Sequence, residues 1–207
     1  MNISPYNDAT LNVMYNQLFC DIPELYNNHA AGYPWDVLFN NKSSNQQLLS
    51  LASDVKAGSR INLLAYNQLK TKGYPVDSKE LLGVIIEVGL ENGLDVVAAF
   101  KDGTARYINQ SGKLIIWETK TEESEKLGDN LFAASLEVVS KIGAWDKARL
   151  PQPGKDQIRI NFLVAEGLYF GQGPFEVLAR DAMGGPVIHA AQQLLTFLTD
   201  KALANVD

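Results

Sequence analysis

Residues Leu81 to Phe100 read LLGVIIEVGLENGLDVVAAF, and their pattern decides the fold. Leu82, Val84, Ile86, Val88 and Leu90 alternate with Leu81, Gly83, Ile85, Glu87 and Gly89, which is the period of two that a strand imposes. Glu91-Asn92-Gly93 supplies turn chemistry, and Leu94, Val96, Ala98 and Phe100 resume the alternation, so the segment predicts a β-hairpin. Two registers compete. An Asn92-Gly93 turn pairs Leu90 with Asp95 and Val84 with Lys101, whereas a three-residue loop with Gly93 left-handed pairs Leu90 with Leu94, Val88 with Val96 and Val84 with Phe100. The second keeps one face wholly apolar and is preferred, because a one-residue slip carries every side chain to the other face.

Downstream, Asp102-Gly103 closes a second hairpin into Thr104 to Ile108, and Asn109-Gln110-Ser111-Gly112 closes a third into Lys113 to Glu118. The result is a four-stranded antiparallel meander. Thr119 and Glu122 are read as caps of the next helix, whose first turn holds Glu122, Glu123 and Glu125 and whose apolar stripe is Leu127, Leu131, Ala134, Val138 and Ile142. After Pro151, Pro153 and Gly154, the alternation Ile158, Ile160, Phe162, Val164 crosses Glu166-Gly167 into Leu168 to Phe170, a C-terminal hairpin. Gly173-Pro174 and Gly185-Pro186 each place Pro at a first helical position, predicting a short helix to Ala182 and a terminal helix from Val187 to about Ala204.

Upstream, Asp8 caps a helix with Leu11, Met14, Leu18, Ile22 and Leu25 on one face, which Pro23 should kink or end. Asn27 to Ser44 reads as a loop around a short apolar cluster, Tyr33, Trp35, Val37, Leu38 and Phe39. Ser44 with Gln47 matches a capping box for a helix over Asn45 to Asp54, and a further helix runs from Ser59 to Gly73, with Pro75 beyond. The fold class is therefore α+β: an antiparallel sheet, made of the meander plus the C-terminal hairpin, with helices on one face. One domain spans 1–207, with a helical segment over 1–75 and the sheet core over 76–207. In element order alone it resembles the profilin-like and longin-like adaptor architectures, which carries over no residue and no function.

The chain has 207 residues, with 18 Lys plus Arg against 24 Asp plus Glu for a net charge of −6, and both halves are mildly acidic. No basic stripe exists to neutralise phosphates, so neither nucleic acid nor an anionic membrane surface is an expected partner. The start of the chain lacks the positive charge and apolar run of a secretion signal, and Leu81 to Leu90 is too short to span a bilayer. A cytoplasmic location is the expectation. The single Cys20 excludes an internal disulfide, and the two histidines, His29 and His189, have no carboxylates at ligand spacing, so neither metal nor cofactor is expected.

Two constellations stand out. A two-residue Asp102-Gly103 turn sets Ala99 beside Arg106, and the four-residue loop after it sets Arg106 beside Ile115 and Thr104 beside Trp117. This places Glu87, Arg106, Lys113 and Trp117 on the outer sheet face around Gly83, Gly89 and Ala99, where small residues beside charges leave room for a ligand or partner. The plainer alternative is a solvated face with cross-strand ion pairs. Arg180, Gly184, Gly185 and His189 form a second candidate, an anion site at the start of the terminal helix; its alternative is a tight interhelical link. A Cys20–His189 nucleophile and base has no supporting spacing, and neither a serine elbow nor a carboxylate pair is present. The expected function is a non-enzymatic α+β protein working through protein contacts or self-association, using the sheet face or an exposed helix. The alternatives are a small-molecule binder or hydrolase with its site between the sheet and the N-terminal helices, near Tyr33, Trp35, Arg106 and Trp117, and an acidic subunit of a toxin and inhibitor pair or larger assembly.

Overall fold

A computed structural model describes residues 2–26 and 32–204. His29 and the start of the expected Asn27–Ser44 loop lie outside them. The N-terminal layer comprises α1 (Ala9–Gln17), a 3-10 turn over Pro23–Tyr26, α2 (Trp35–Leu38), α3 (Asn45–Ala52) and α4 (Ser59–Thr71). Local chemistry starts α1 and α3 where the sequence indicated, whereas α2 forms within the stretch expected to be a loop. The Asp8 carboxylate accepts from Leu11 N at 2.9 Å, and Ser44 and Gln47 complete their capping box. Pro23 opens a new turn, and Gly73, at φ +73°, follows the last turn of α4.

The start of α4 is capped from a distance. Gly58, at φ +88°, brings Ser59 N to Asp102 Oδ2 at 2.8 Å, and Ser59 Oγ accepts from Asp102 N at 2.8 Å. Thr104 donates its N–H and hydroxyl to the other Asp102 oxygen. One turn carboxylate thus ties the N-terminal layer to the sheet, a cap that no local helix-start pattern reveals.

The sheet consists of β1 (Leu81–Leu90), β2 (Gly93–Phe100), β3 (Ala105–Ile108), β4 (Leu114–Trp117), β5 (Gln157–Val164) and β6 (Gly167–Pro174). It is antiparallel throughout, in the order β4-β3-β2-β1-β5-β6. Between β4 and β5 runs α5 (Glu122–Val139); α6 (Phe175–Leu178) and α7 (Gly184–Ala204) end the described chain. The α+β class, the antiparallel sheet of meander plus hairpin and the preceding helices are as expected. Residues 175–178 are helical, and the cap of α5 is Thr121 with Ser124 rather than Thr119 with Glu122.

The hairpin register differs from both sequence readings. Leu90 faces Gly93, Glu87 faces Val96 and Val84 faces Ala99, so the two-residue connection is Glu91-Asn92. The preference for one wholly apolar face assumed that the other face is wet. Instead, helices cover both. Leu82, Ile85, Val96, Ala98 and Phe100 pack under the N-terminal layer, while Val84, Ile86, Val97 and Ala99 pack against α5 and α7. A register irregularity between Leu81 and Gly83 reverses the alternation there, so that Leu82 joins the core of Ile85 and Leu81 that of Val84.

Charges on the N-terminal face are buried rather than solvated. Glu87 is 0% exposed; its Oε1 accepts from the Tyr15 hydroxyl at 2.6 Å, and its Oε2 accepts from Asn161 Nδ2 at 2.8 Å and Arg159 Nη1 at 3.4 Å. Burial, then the charge of Glu87, holds the Tyr15 phenol well above its ordinary range, so it stays a donor. Arg159 also donates to Gln172 Oε1, Leu150 O and Pro151 O, which fastens the α5–β5 connection across the sheet. Nearby, Arg149 pairs with Asp21 at 3.0 Å, donates to Asn16 Oδ1 and stacks 3.9 Å over the Phe19 ring.

Candidate functional site

The expected outer-face constellation does not assemble. Both turns after β2 set pairings one residue away from those expected, Ala98 opposite Arg106 and Arg106 opposite Ile116. Arg106 therefore lies on the N-terminal face with Glu87, and Trp117, paired with Ala105, lies on the α5/α7 face against Phe197 at 5.0 Å. Lys113 is exposed at the mouth of the β3–β4 turn, its N–H donated to Asn109 Oδ1. The small residues leave no room. A Cβ on Gly83 would meet Phe100 and Leu163 at 3.0 and 3.1 Å, and one on Gly89 would fall 2.0 Å from Gly154 O.

The expected anion nest at the start of α7 is filled by the chain's own carboxylate. Asp181 Oδ1 accepts from Met183 N and Gly184 N at 2.9 and 2.8 Å. Gly184 and Gly185 are needed for close approach, since added Cβ atoms would sit 3.0 Å from Leu178 O and 2.8 Å from Ala179 O. Arg180 turns back to Glu176, and His189 is exposed one turn on.

Those backbone donors hold the Asp181 carboxyl below its ordinary 3.8. A carboxyl depressed on folding stabilises the fold above its unfolded pKa, and the contribution disappears as pH falls through the folded value. We expect the Asp181 carboxyl resonance to titrate below pH 3.8, with the Gly184 amide losing exchange protection over the same range. In Asp181→Asn that acid-dependent loss should be absent; retention of it in the variant would assign the effect elsewhere.

Cys20 is fully buried in the N-terminal layer, its thiol pushed up to about 12 by burial, while His189 is on α7 in the opposite layer. They do not meet. Among the described residues no group of three or more His, Cys, Asp or Glu converges as metal ligands, and no helix is long and apolar enough to cross a membrane.

A cleft of about 610 Å³ lies elsewhere, between one end of the sheet and α5. Leu81, Ala99, Ala105 and Trp117 from four neighbouring strands contribute to its lining, with Leu194 of α7. Lys79, Lys101 and Lys120 stand on the sheet side, and Lys101 pairs with Glu80 at 2.6 Å. The α5 wall runs from Glu125 and Asp129 to Phe132 and Leu136, so it is acidic toward the helix start and apolar further on. Ser124 lines it too, but its hydroxyl is spent on the Thr121 cap. The Trp117 indole N–H is buried without a hydrogen-bond partner among the described residues, an uncommon state for a donor.

Gly128 sits in this wall, in the interior of α5, and a Cβ added there meets nothing within 4 Å. A helix-interior glycine costs about 1 kcal/mol relative to alanine. Gly128→Ala should therefore raise stability by about 0.5–1 kcal/mol in urea titrations; a loss would mean that the wall is tighter than its geometry. The expected stripe of α5 covered Leu131 and Val138 but omitted Gly128, Phe132 and Leu136. Their spacing of four, beside that stripe, is the one sequence signal that leads to the cleft.

No protein-family model matches the chain, and neither a curated protein nor a solved structure shows significant similarity to it.

Proposed function

We propose that the protein is a non-catalytic binding module that takes the apolar part of a small amphipathic ligand into the cleft beneath α5. Gly128 carries the reading: a residue unfavourable in a helix interior, with no close backbone approach to require it, keeps the wall bare beside Phe132 and Leu136. Lysines on the sheet side and carboxylates on the helix side suit polar ends on such a ligand. Among the described residues neither His nor Cys lines the cleft, and the serine that does is committed to a helix cap, so the lining favours capture over nucleophilic chemistry.

Burial of both sheet faces in the two cores weighs against the sheet face as a protein-contact surface, the use first expected of it. Among the described residues the most exposed large apolar side chains are Val55 in the α3–α4 turn, Leu203 on α7 and Val177 on α6.

The test uses 8-anilinonaphthalene-1-sulfonate as probe, with the native protein and Gly128→Leu, a variant that fills the wall. Saturable one-to-one binding by the native protein, weakened about tenfold or more in the variant while the melting temperature is maintained, is the expected result. Equal binding by both, or none by either, would remove the cleft as the site.

A further inference from the structure

On the opposite face of the sheet, Arg60 of α4 and Arg106 of β3 line one small cavity of about 130 Å³, together with Met14, Gln17, Leu114 and Ile116. Like charges brought to one cavity repel. Burial lowers the Arg106 pKa first, and the charge of Arg60 lowers it further. Arg106 is largely compensated: it is 7% exposed, it donates to Ala105 O and Trp117 O, and its Nη2 pairs with Glu118 Oε1 at 2.6 Å. Arg60 is not. Its guanidinium lies 5.6 Å from the Phe100 ring centroid, and none of its five donors has an acceptor among the described residues.

Asp102 lines the neighbouring cavity with Arg60, but its oxygens already accept from Ser59 N, Thr104 N and the Thr104 hydroxyl. Among the described residues the smaller cavity thus carries two guanidinium groups, no carboxylate in its lining, the Gln17 amide as its other polar side chain and an apolar remainder. An adjoining cavity of about 260 Å³ shares Arg60 and Gln17 and extends beneath Tyr26 and Trp35.

We propose that the cavity between Arg60 and Arg106 is an oxyanion site, taking a phosphoryl or carboxylate group in bidentate contact with the Arg60 guanidinium. A planar fork of parallel N–H donors matches both groups, and an anion placed there relieves the repulsion between the two arginines. Arg60 is the positioning donor that no motif in the sequence indicates. The site is separate from the α5 cleft and does not depend on it.

The experiment follows the arginine Nε–Hε resonances of the full chain in two-dimensional NMR during titration with inorganic phosphate and, separately, with benzoate, each matched to sodium chloride at equal ionic strength. Arg60 and Arg106 should shift together along one saturation curve. Phosphate saturating at lower concentration would identify a phosphoryl source, and benzoate saturating first would identify a carboxylate on an apolar body. Arg60→Gln, altered at a part-exposed position, should retain its melting temperature in chloride and weaken the preferred anion tenfold or more. Arg60 and Arg106 resonances that follow ionic strength alone would overturn the proposal, as would an affinity unchanged in Arg60→Gln.

Discussion

Glu87→Ala should destabilise the protein by about 3–5 kcal/mol, the usual cost of removing one partner from a buried ion pair. The substitution strips the carboxylate from Arg159, which is 3% exposed, and at once removes the acceptor of the Tyr15 hydroxyl and the Asn161 amide. None of the three can turn to water without opening the interface between the sheet and the N-terminal layer. Urea unfolding should show the loss as a lowered midpoint at nearly unchanged slope. Glu87→Gln keeps an acceptor for Tyr15 but leaves the Arg159 charge uncompensated, and should fall between the two.

A double-mutant cycle separates pairing from packing. Replacing both partners, as in Glu87→Leu with Arg159→Met, should recover much of the loss, because a buried pair exchanged for apolar groups of similar size is often close to neutral. We expect a coupling energy of about 2 kcal/mol or more. Additive single effects would show that Arg159 is held by Gln172, Leu150 and Pro151 without help from Glu87.

Gly89→Ala should cost about 3 kcal/mol, at the upper end of overpacking penalties. Its Cβ would fall 2.0 Å from Gly154 O, 2.5 Å from Gly154 C and 2.7 Å from Pro153 O, all backbone atoms that no rotamer change can move. The connection entering β5 must shift, and with it the hydrogen bond from Asp156 N to Gly89 O at 3.0 Å. Gly171→Ala in β6 is the matched control, since nothing lies within 4 Å of its added Cβ, and it should stay within about 0.5 kcal/mol of the parent. Similar melting temperatures for the two variants would mean that the 153–154 crossing yields easily.

These two positions also show where sequence reading stops. Glu87 in an apolar alternation has the same pattern whether its carboxylate faces water or a buried arginine 72 residues away. Gly89 looks like room for a ligand, but another stretch of backbone occupies the space. Arg106 was legible as a candidate while its neighbour Arg60 was not, because α4 and β3 meet only in the folded chain.

What the sequence determined by itself was local. The caps at Asp8 and Ser44, the Gly73 stop and the two-residue period of the sheet strands depend on neighbours a few residues away, and they indicate element type and order, although α1 ends at Gln17, short of Pro23. Tertiary structure decided the registers of the meander, the covering of both sheet faces, the burial of Glu87 and Arg159 and the position of the cleft beneath α5. The physical reason is that a one-residue change of register costs little in local propensity yet exchanges the two faces of a strand. Only the layers packed on those faces distinguish the alternatives.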